Sequence, residues 1–194
     1  MRAKYLDDFT LGRLHNAIKG SDWLPMRLMI ETGVRVGDAV KARKRDFYRE
    51  RNGVPHFHWV AEKTDKRGKC PISETLYNRV QVLPGGPSAY IFPGRGKSGH
   101  ITRQCLWARI DRACKEYGIE KAGVSPHSLR KVYAVTVRRE RGLQAAKDAL
   151  QHTHTATAAL YAYSDEIFSP DQPITWGEID LVVQYFRERF REES

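Results

Sequence analysis

The chain has 194 residues, 41% of them hydrophobic, which suffices for one well-buried core with a small appended lobe. Its net charge of +10 favours a polyanionic partner, nucleic acid first. Cys70, Cys105 and Cys114 are odd in number and widely spaced, which excludes a disulfide framework and a zinc site and suits a reducing cytoplasm.

No apolar run approaches the roughly 18 residues of a membrane span, and the N-terminus lacks a signal-peptide pattern. His56 and His58, like His152 and His154, lie two apart, but neither pair has a nearby second pair of ligands, so no metal site is expected.

In chain order, Leu11, Leu14 and Ile18 predict a helix over residues 5–18, capped by Asp7 or Asp8. A second helix through Leu24, Met26, Leu28, Met29 and Ile30 stops near Gly33, and a short third one covers Arg35 to Val40. The stretch from Lys41 to Arg51 then carries six basic residues. Such a run is more often a solvated face than a binding site. Beside a phosphate-binding group it becomes a track for a DNA backbone. Residues 56–60 read as a strand, 65–68 as a turn and 69–72 as the returning strand of a hairpin. A helix over 74–83 ends in the loop Pro84-Gly-Gly-Pro87, and Ile91 to His100 reads as a flexible connection. Thr102 caps a helix burying Leu106, Ile110, Ala113, Cys114 and Tyr117. Helices over 128–141 and 143–150 follow, and a last amphipathic one over 178–192. No internal repeat occurs. The pattern predicts an α+β, mainly α-helical domain with one small antiparallel sheet.

Several polar residues carry the chemistry. In Glu31-Thr-Gly-Val-Arg-Val-Gly-Asp38, Arg35 and Asp38 are three apart and share a helical face, so the carboxylate can orient the guanidinium. The plainer alternative is an ordinary surface ion pair. Lys63 sits in the hairpin segment Glu62-Lys-Thr-Asp-Lys-Arg-Gly-Lys-Cys-Pro-Ile72, with Lys66 as its rival in the same turn. In Pro126-His-Ser-Leu-Arg130, the spacing of three puts His127 and Arg130 on one face at a helix start, where backbone N–H groups attract anions. Leu150-Gln-His152 precedes Tyr161 by nine residues, about two and a half helical turns, so both reach one phosphate only if the helix breaks between them. Thr153-His-Thr-Ala-Thr157 suits such a break. Tyr163, two residues on, is assigned to core packing.

These segments, in this order, resemble the catalytic domain of tyrosine recombinases of the phage-integrase family over roughly Leu6 to Tyr163. Gln151 replaces the family's usual glycine, and Lys131 stands where histidine is frequent. The resemblance implies that Arg35 and Arg130 bind the scissile phosphate, with Asp38 in support. His127 moves the tyrosine proton and His152 adds a hydrogen bond. Tyr161 attacks to leave a 3′-phosphotyrosyl link, and Lys63 protonates the leaving 5′-oxygen. No cofactor, metal or ATP is implied, because the covalent link conserves the energy of the phosphodiester. Lys41, Arg43, Lys44, Arg45, Lys66 and Arg67 are the expected contacts to double-stranded DNA.

The resemblance further implies a DNA-bound homotetramer acting through a Holliday junction, a monomer in dilute solution, and a cytoplasmic setting in a prokaryotic or phage-infected cell. Residues 1–194 read as a single catalytic domain. Within it, 165–194 form a linker and C-terminal helix of the kind related recombinases pass to a neighbouring subunit. The family's usual N-terminal DNA-binding domain has no room before Arg35, which leaves a naturally short recombinase or a fragment. Two rival readings stay open: a type IB topoisomerase, and a non-catalytic DNA-binding regulator derived from a recombinase. A metal-dependent nuclease would need a carboxylate cluster that the sequence lacks.

Overall fold

The computed structural model describes residue 3 and residues 5–150, with backbone alone at 143, 144 and 147–150. His152, Tyr161, Tyr163 and the helix expected over 178–192 lie outside the described residues. The chain divides into two compact units, Met1–Tyr133 and Ala134–Ser194.

In the first unit, α1 (Asp8–Ala17) starts where the Asp7 carboxylate accepts from the Thr10 N–H at 2.7 Å, so Asp7 is the cap. α2 (Leu24–Thr32) carries proline in its first turn and ends at Gly33, whose φ of 61° is the left-handed conformation that glycine adopts without a Cβ penalty. α3 (Val36–Ala39) is a single turn. Three strands follow, β1 (Phe47–Arg49), β2 (Pro55–Val60) and β3 (Arg67–Pro71), in an antiparallel sheet of order β1-β2-β3. The register pairs Phe47 with Phe57 and Phe57 with Cys70, so these three line the core face. Phe57 is fully buried, worth on the order of 2 kcal/mol by area. Its ring stands 4.8 Å from Phe47 and 5.3 Å from Trp59. The opposite face carries Tyr48, His56, His58 and Lys69.

α4 (Glu74–Gln81) is capped by Ser73 and α5 (Arg103–Glu116) by Thr102, each hydroxyl accepting an N–H at 3.1 Å. Leu14, Met26, Leu28, Leu76, Leu106, Ile110 and Leu129 complete a continuous core. α6 (Pro126–Leu150) opens in this unit. In the second unit, its residues 134–150 include a break at Gly142 (φ 84°, ψ 174°), between the two helices that the sequence predicts.

Three expectations need correction. The sheet has a third strand, β1, hidden inside the basic stretch. The Ile91–His100 connection is not a flexible tether but a tight hairpin, closed by an antiparallel bridge between Pro93 and His100. Tyr117, expected on the buried face of α5, is instead exposed at its C-cap, where the helix has already ended. Elsewhere the element bounds shift by a few residues, as at α4 and β3.

Candidate functional site

The site is built on the turn that ends α2. Thr32 donates its hydroxyl to the Leu28 carbonyl at 2.6 Å and accepts the Val34 N–H at 3.3 Å, which fixes the exit of the helix. Gly33 then reverses the chain, Val34 is buried, and Arg35 takes an extended conformation as the N-cap residue of α3. The Gly33 carbonyl accepts a hydrogen bond from the Arg130 guanidinium, and Arg130 is only 5% exposed. No side chain could replace the hydrogen of Gly33. An added Cβ would fall 2.2 Å from Cδ1 of Tyr133, whose ring lies against the turn. The Tyr133 hydroxyl reaches Cys70 Sγ on β3 at 3.5 Å, so strand, turn and helix meet at this point.

Pro126 opens α6, where its fixed φ suits a first helical turn. His127 and Arg130 follow on one face. His127 is exposed, yet enough protein surrounds its ring to remove part of its hydration. That desolvation, followed by the charges of Arg130 and Arg35, lowers its pKa from 6.5. The neutral imidazole is therefore the form present at pH 7, able to take a proton. The structure thus brings Arg35, His127 and Arg130 together. Arg35 itself is half-buried and makes no hydrogen bond or ion pair among the described residues. Replacing Arg35 with glutamine should raise the His127 pKa while leaving it below 6.5, because desolvation and Arg130 remain. A ring-proton NMR titration reads this directly, and an unmoved pKa would break the electrostatic link.

Asp38 does not orient Arg35 by a hydrogen bond. It is 9% exposed, and its Oδ1 accepts the Glu62 backbone N–H at 3.0 Å. Its Oδ2 is buried with no hydrogen-bond partner among the described residues. The carboxylate therefore ties the β2–β3 turn to α3, one residue before Lys63. Glu62 completes the attachment by pairing with Lys41 at 2.6 Å, and Lys41 with Arg103 holds its carboxyl below the usual range. Glu62 is the residue that sequence reasoning missed. An acid directly before the nominated lysine, beside a basic run, was the available signal. Lys63 and Lys66 are both exposed in the turn, Lys63 three residues past the end of β2 rather than on the strand.

The basic run is largely engaged with the protein itself. Arg43 stacks 4.0 Å over the Tyr90 ring, donates to the Tyr90 hydroxyl at 2.8 Å and bonds the Ser88 carbonyl. Lys44 donates to the Leu83 carbonyl at 2.7 Å, and Arg45 reaches the Ser88 hydroxyl at 3.5 Å. Arg49 makes a bidentate pair with Glu74, both bonds 2.7 Å. Arg67 is exposed at the start of β3. No helix among the described residues is long and apolar enough to cross a membrane.

Comparison with known proteins adds three findings. A family model described as the phage integrase family matches residues 4–166, which span every nominated catalytic position. Tyrosine recombinase XerD of Rhizobium meliloti (strain 1021) is 27% identical over 145 residues, 71% of this chain and 45% of the relative. That of Haemophilus ducreyi is 28% identical over 148 residues, 71% of this chain and 48% of its own. The chain thus spans about half the length of the curated relatives it matches. Among solved structures, a lambda integrase (75–356) dimer bound to a COC′ core site aligns with TM-score 0.72 at 18% identity, over 91% of this chain and 64% of that one. The catalytic domain of bacteriophage HP1 integrase aligns with TM-score 0.63 at 20% identity, over 90% of this chain and all of that one. At these identities the structural likeness establishes the fold.

Proposed function

The chain belongs to the phage integrase family, and from that premise we propose that it is the catalytic domain of a site-specific DNA recombinase. It would cleave and rejoin double-stranded DNA by transesterification through a 3′-phosphotyrosyl intermediate. The observation that carries this reading is the cluster of Arg35, Arg130 and His127 around the Gly33 turn. Two guanidiniums there lie close enough to act jointly on one neutral imidazole.

Arg35 and Arg130 would take the non-bridging oxygens of the scissile phosphate and stabilise the charge that builds on its pentavalent phosphorus. His127 would accept the tyrosine proton as the attack proceeds. Lys63, held near α3 through Asp38 and Glu62, would protonate the departing 5′-oxygen. His152 and Tyr161 are proposed from their sequence spacing as the further hydrogen-bond donor and the nucleophile. Reversal by a 5′-hydroxyl from a partner strand gives exchange. We assign Lys41, Arg45, Lys66 and Arg67 to the DNA backbone through their exposed ends, and Arg43 and Lys44 to bracing the 83–90 loop.

The curated relatives are named tyrosine recombinases, and one solved neighbour is a lambda integrase tetramer bound to a Holliday junction. By analogy we propose that four copies assemble on DNA from a monomer in solution, in the cytoplasm. Residues 165–194 would link subunits, and 1–194 would form one catalytic domain.

A nicked suicide duplex tests the core of this reading. Incubated in EDTA, the chain should form a protein–DNA adduct that survives detergent. DNA binding without any adduct would leave the regulator reading. Adduct with relaxation of supercoils but no transfer to a second duplex would favour the topoisomerase.

A further inference from the structure

The cations that the sequence nominates for DNA are mostly occupied, whereas two others are not. Arg95 and Lys97 are exposed at the tip of the 93–100 hairpin, and neither has a hydrogen bond or ion pair among the described residues. The hairpin that presents them is well braced. Beyond the Pro93–His100 bridge, the Gly94 N–H donates to the Gly99 carbonyl at 3.1 Å and the Gly99 N–H to the Gly96 carbonyl at 3.0 Å. Gly99 has φ +72°, and an added Cβ at Gly94 would fall 2.3 Å from the His100 carbonyl oxygen, so the tight path depends on both glycines. The Ser98 hydroxyl donates to the His100 carbonyl at 3.1 Å. At the base, the His100 ring stands edge-on to Tyr90 at 4.9 Å, and Tyr90 is in turn clamped by Arg43. The backbone N–H groups of residues 95–98 donate to no group among the described residues. The tip therefore offers two exposed side-chain cations and a short row of N–H groups with no acceptor among the described residues.

Its location relative to the candidate site follows from the chain. The hairpin runs directly into α5, and Arg103 Cδ lies 3.6 Å from where a Cβ of Gly37 would stand, two residues from Arg35. Lys97 precedes Arg103 by six residues, a span of at most about 22 Å when fully extended. One turn of duplex DNA covers about 34–36 Å. A duplex that ran from a reacting phosphate at Arg35 towards the hairpin would meet the tip within about one turn.

We infer that the 93–100 hairpin is a second DNA-contact element, in which Arg95, Lys97 and the backbone N–H groups between them neutralise phosphates away from the reacting one without reading bases. The inference rests on the recombinase reading for its choice of partner. It also gives Arg43 a role: through Tyr90 it stiffens the base of the finger, while the tip makes the contact.

The test is an Arg95→Ala/Lys97→Ala variant of the full chain, with binding to two unrelated duplexes measured across a salt series. Two lost phosphate contacts should flatten the slope of log affinity against log salt by about 1.8, so the affinity lost between 50 and 200 mM salt shrinks roughly 12-fold. The change should be equal for both duplexes, and at saturating DNA the adduct should form at the wild-type rate. An unchanged slope overturns the proposal. A loss confined to one duplex overturns it too, in favour of base readout, and a slower adduct at saturation would move the hairpin into the chemistry. The catalytic reading fails separately, if the wild-type chain forms no adduct while its binding keeps the expected dependence on salt.

Discussion

Tyr161→Phe should abolish the covalent adduct on a suicide duplex while leaving DNA affinity nearly unchanged. Only the attacking oxygen is removed, so every contact that binds phosphate or backbone persists. A tyrosine hydroxyl has a pKa near 10 and attacks poorly at neutral pH by itself. Its reactivity here would come from two arginines stabilising the pentavalent phosphorus and from a neutral His127 taking the proton. Denaturing gels of wild type, Tyr161→Phe and Tyr163→Phe read the outcome in one experiment. The Tyr163 variant should keep the adduct. If the two variants exchanged results, the spacing from His152 would have picked the wrong tyrosine.

Lys63→Ala should slow cleavage of ordinary DNA by about 10²- to 10⁴-fold, the range for loss of a positioned general acid. A substrate with sulfur at the 5′-bridging position should restore most of the rate, because a thiolate leaves without a proton. Arg35→Ala and Arg130→Ala should show no such rescue, since they remove charge stabilisation rather than a proton. The anchoring of Glu62 to Asp38 favours Lys63 over Lys66, because the chain is tied to α3 immediately before Lys63 and not at the far side of the turn. Single-turnover rates on both substrates decide the matter: rescue of Lys66→Ala, with Lys63→Ala unaffected, would reassign the acid.

Much of this arrangement was legible in the sequence, for local reasons. Gly33 announced the end of α2, Pro126 announced the start of α6, and the three-residue spacing of His127 and Arg130 fixed a shared face before any packing was known. What escaped was tertiary. β1 is three residues long, and its placement depends on the pairing of Phe47 with Phe57, which no local period reveals amid six basic neighbours. The glycines of 93–100 read as looseness, yet at Gly94 and Gly99 they permit close approach and a left-handed turn. The engagement of Arg43 with Tyr90 was hidden because the two lie 47 residues apart. Asp38 was read as a partner of Arg35 from helical spacing, but its Oδ1 turned to a backbone N–H 24 residues on.

The bond between Arg130 and the Gly33 carbonyl joins residues 97 positions apart. Closing a loop of that length costs roughly 4 kcal/mol of chain entropy, and no short-range contact can stand in for it. During synthesis Arg35 emerges first of the two, on a turn whose glycine is still uncovered. The second, together with Tyr133 that covers this glycine, emerges about a hundred residues later. A nascent or truncated chain ending before α6 would thus carry one of the two proposed phosphate-binding arginines on an incomplete turn. Because Arg130 and Tyr133 complete the fold around the Gly33 turn, the proposed grip on a DNA phosphate would arrive only with the long-range closure of the domain.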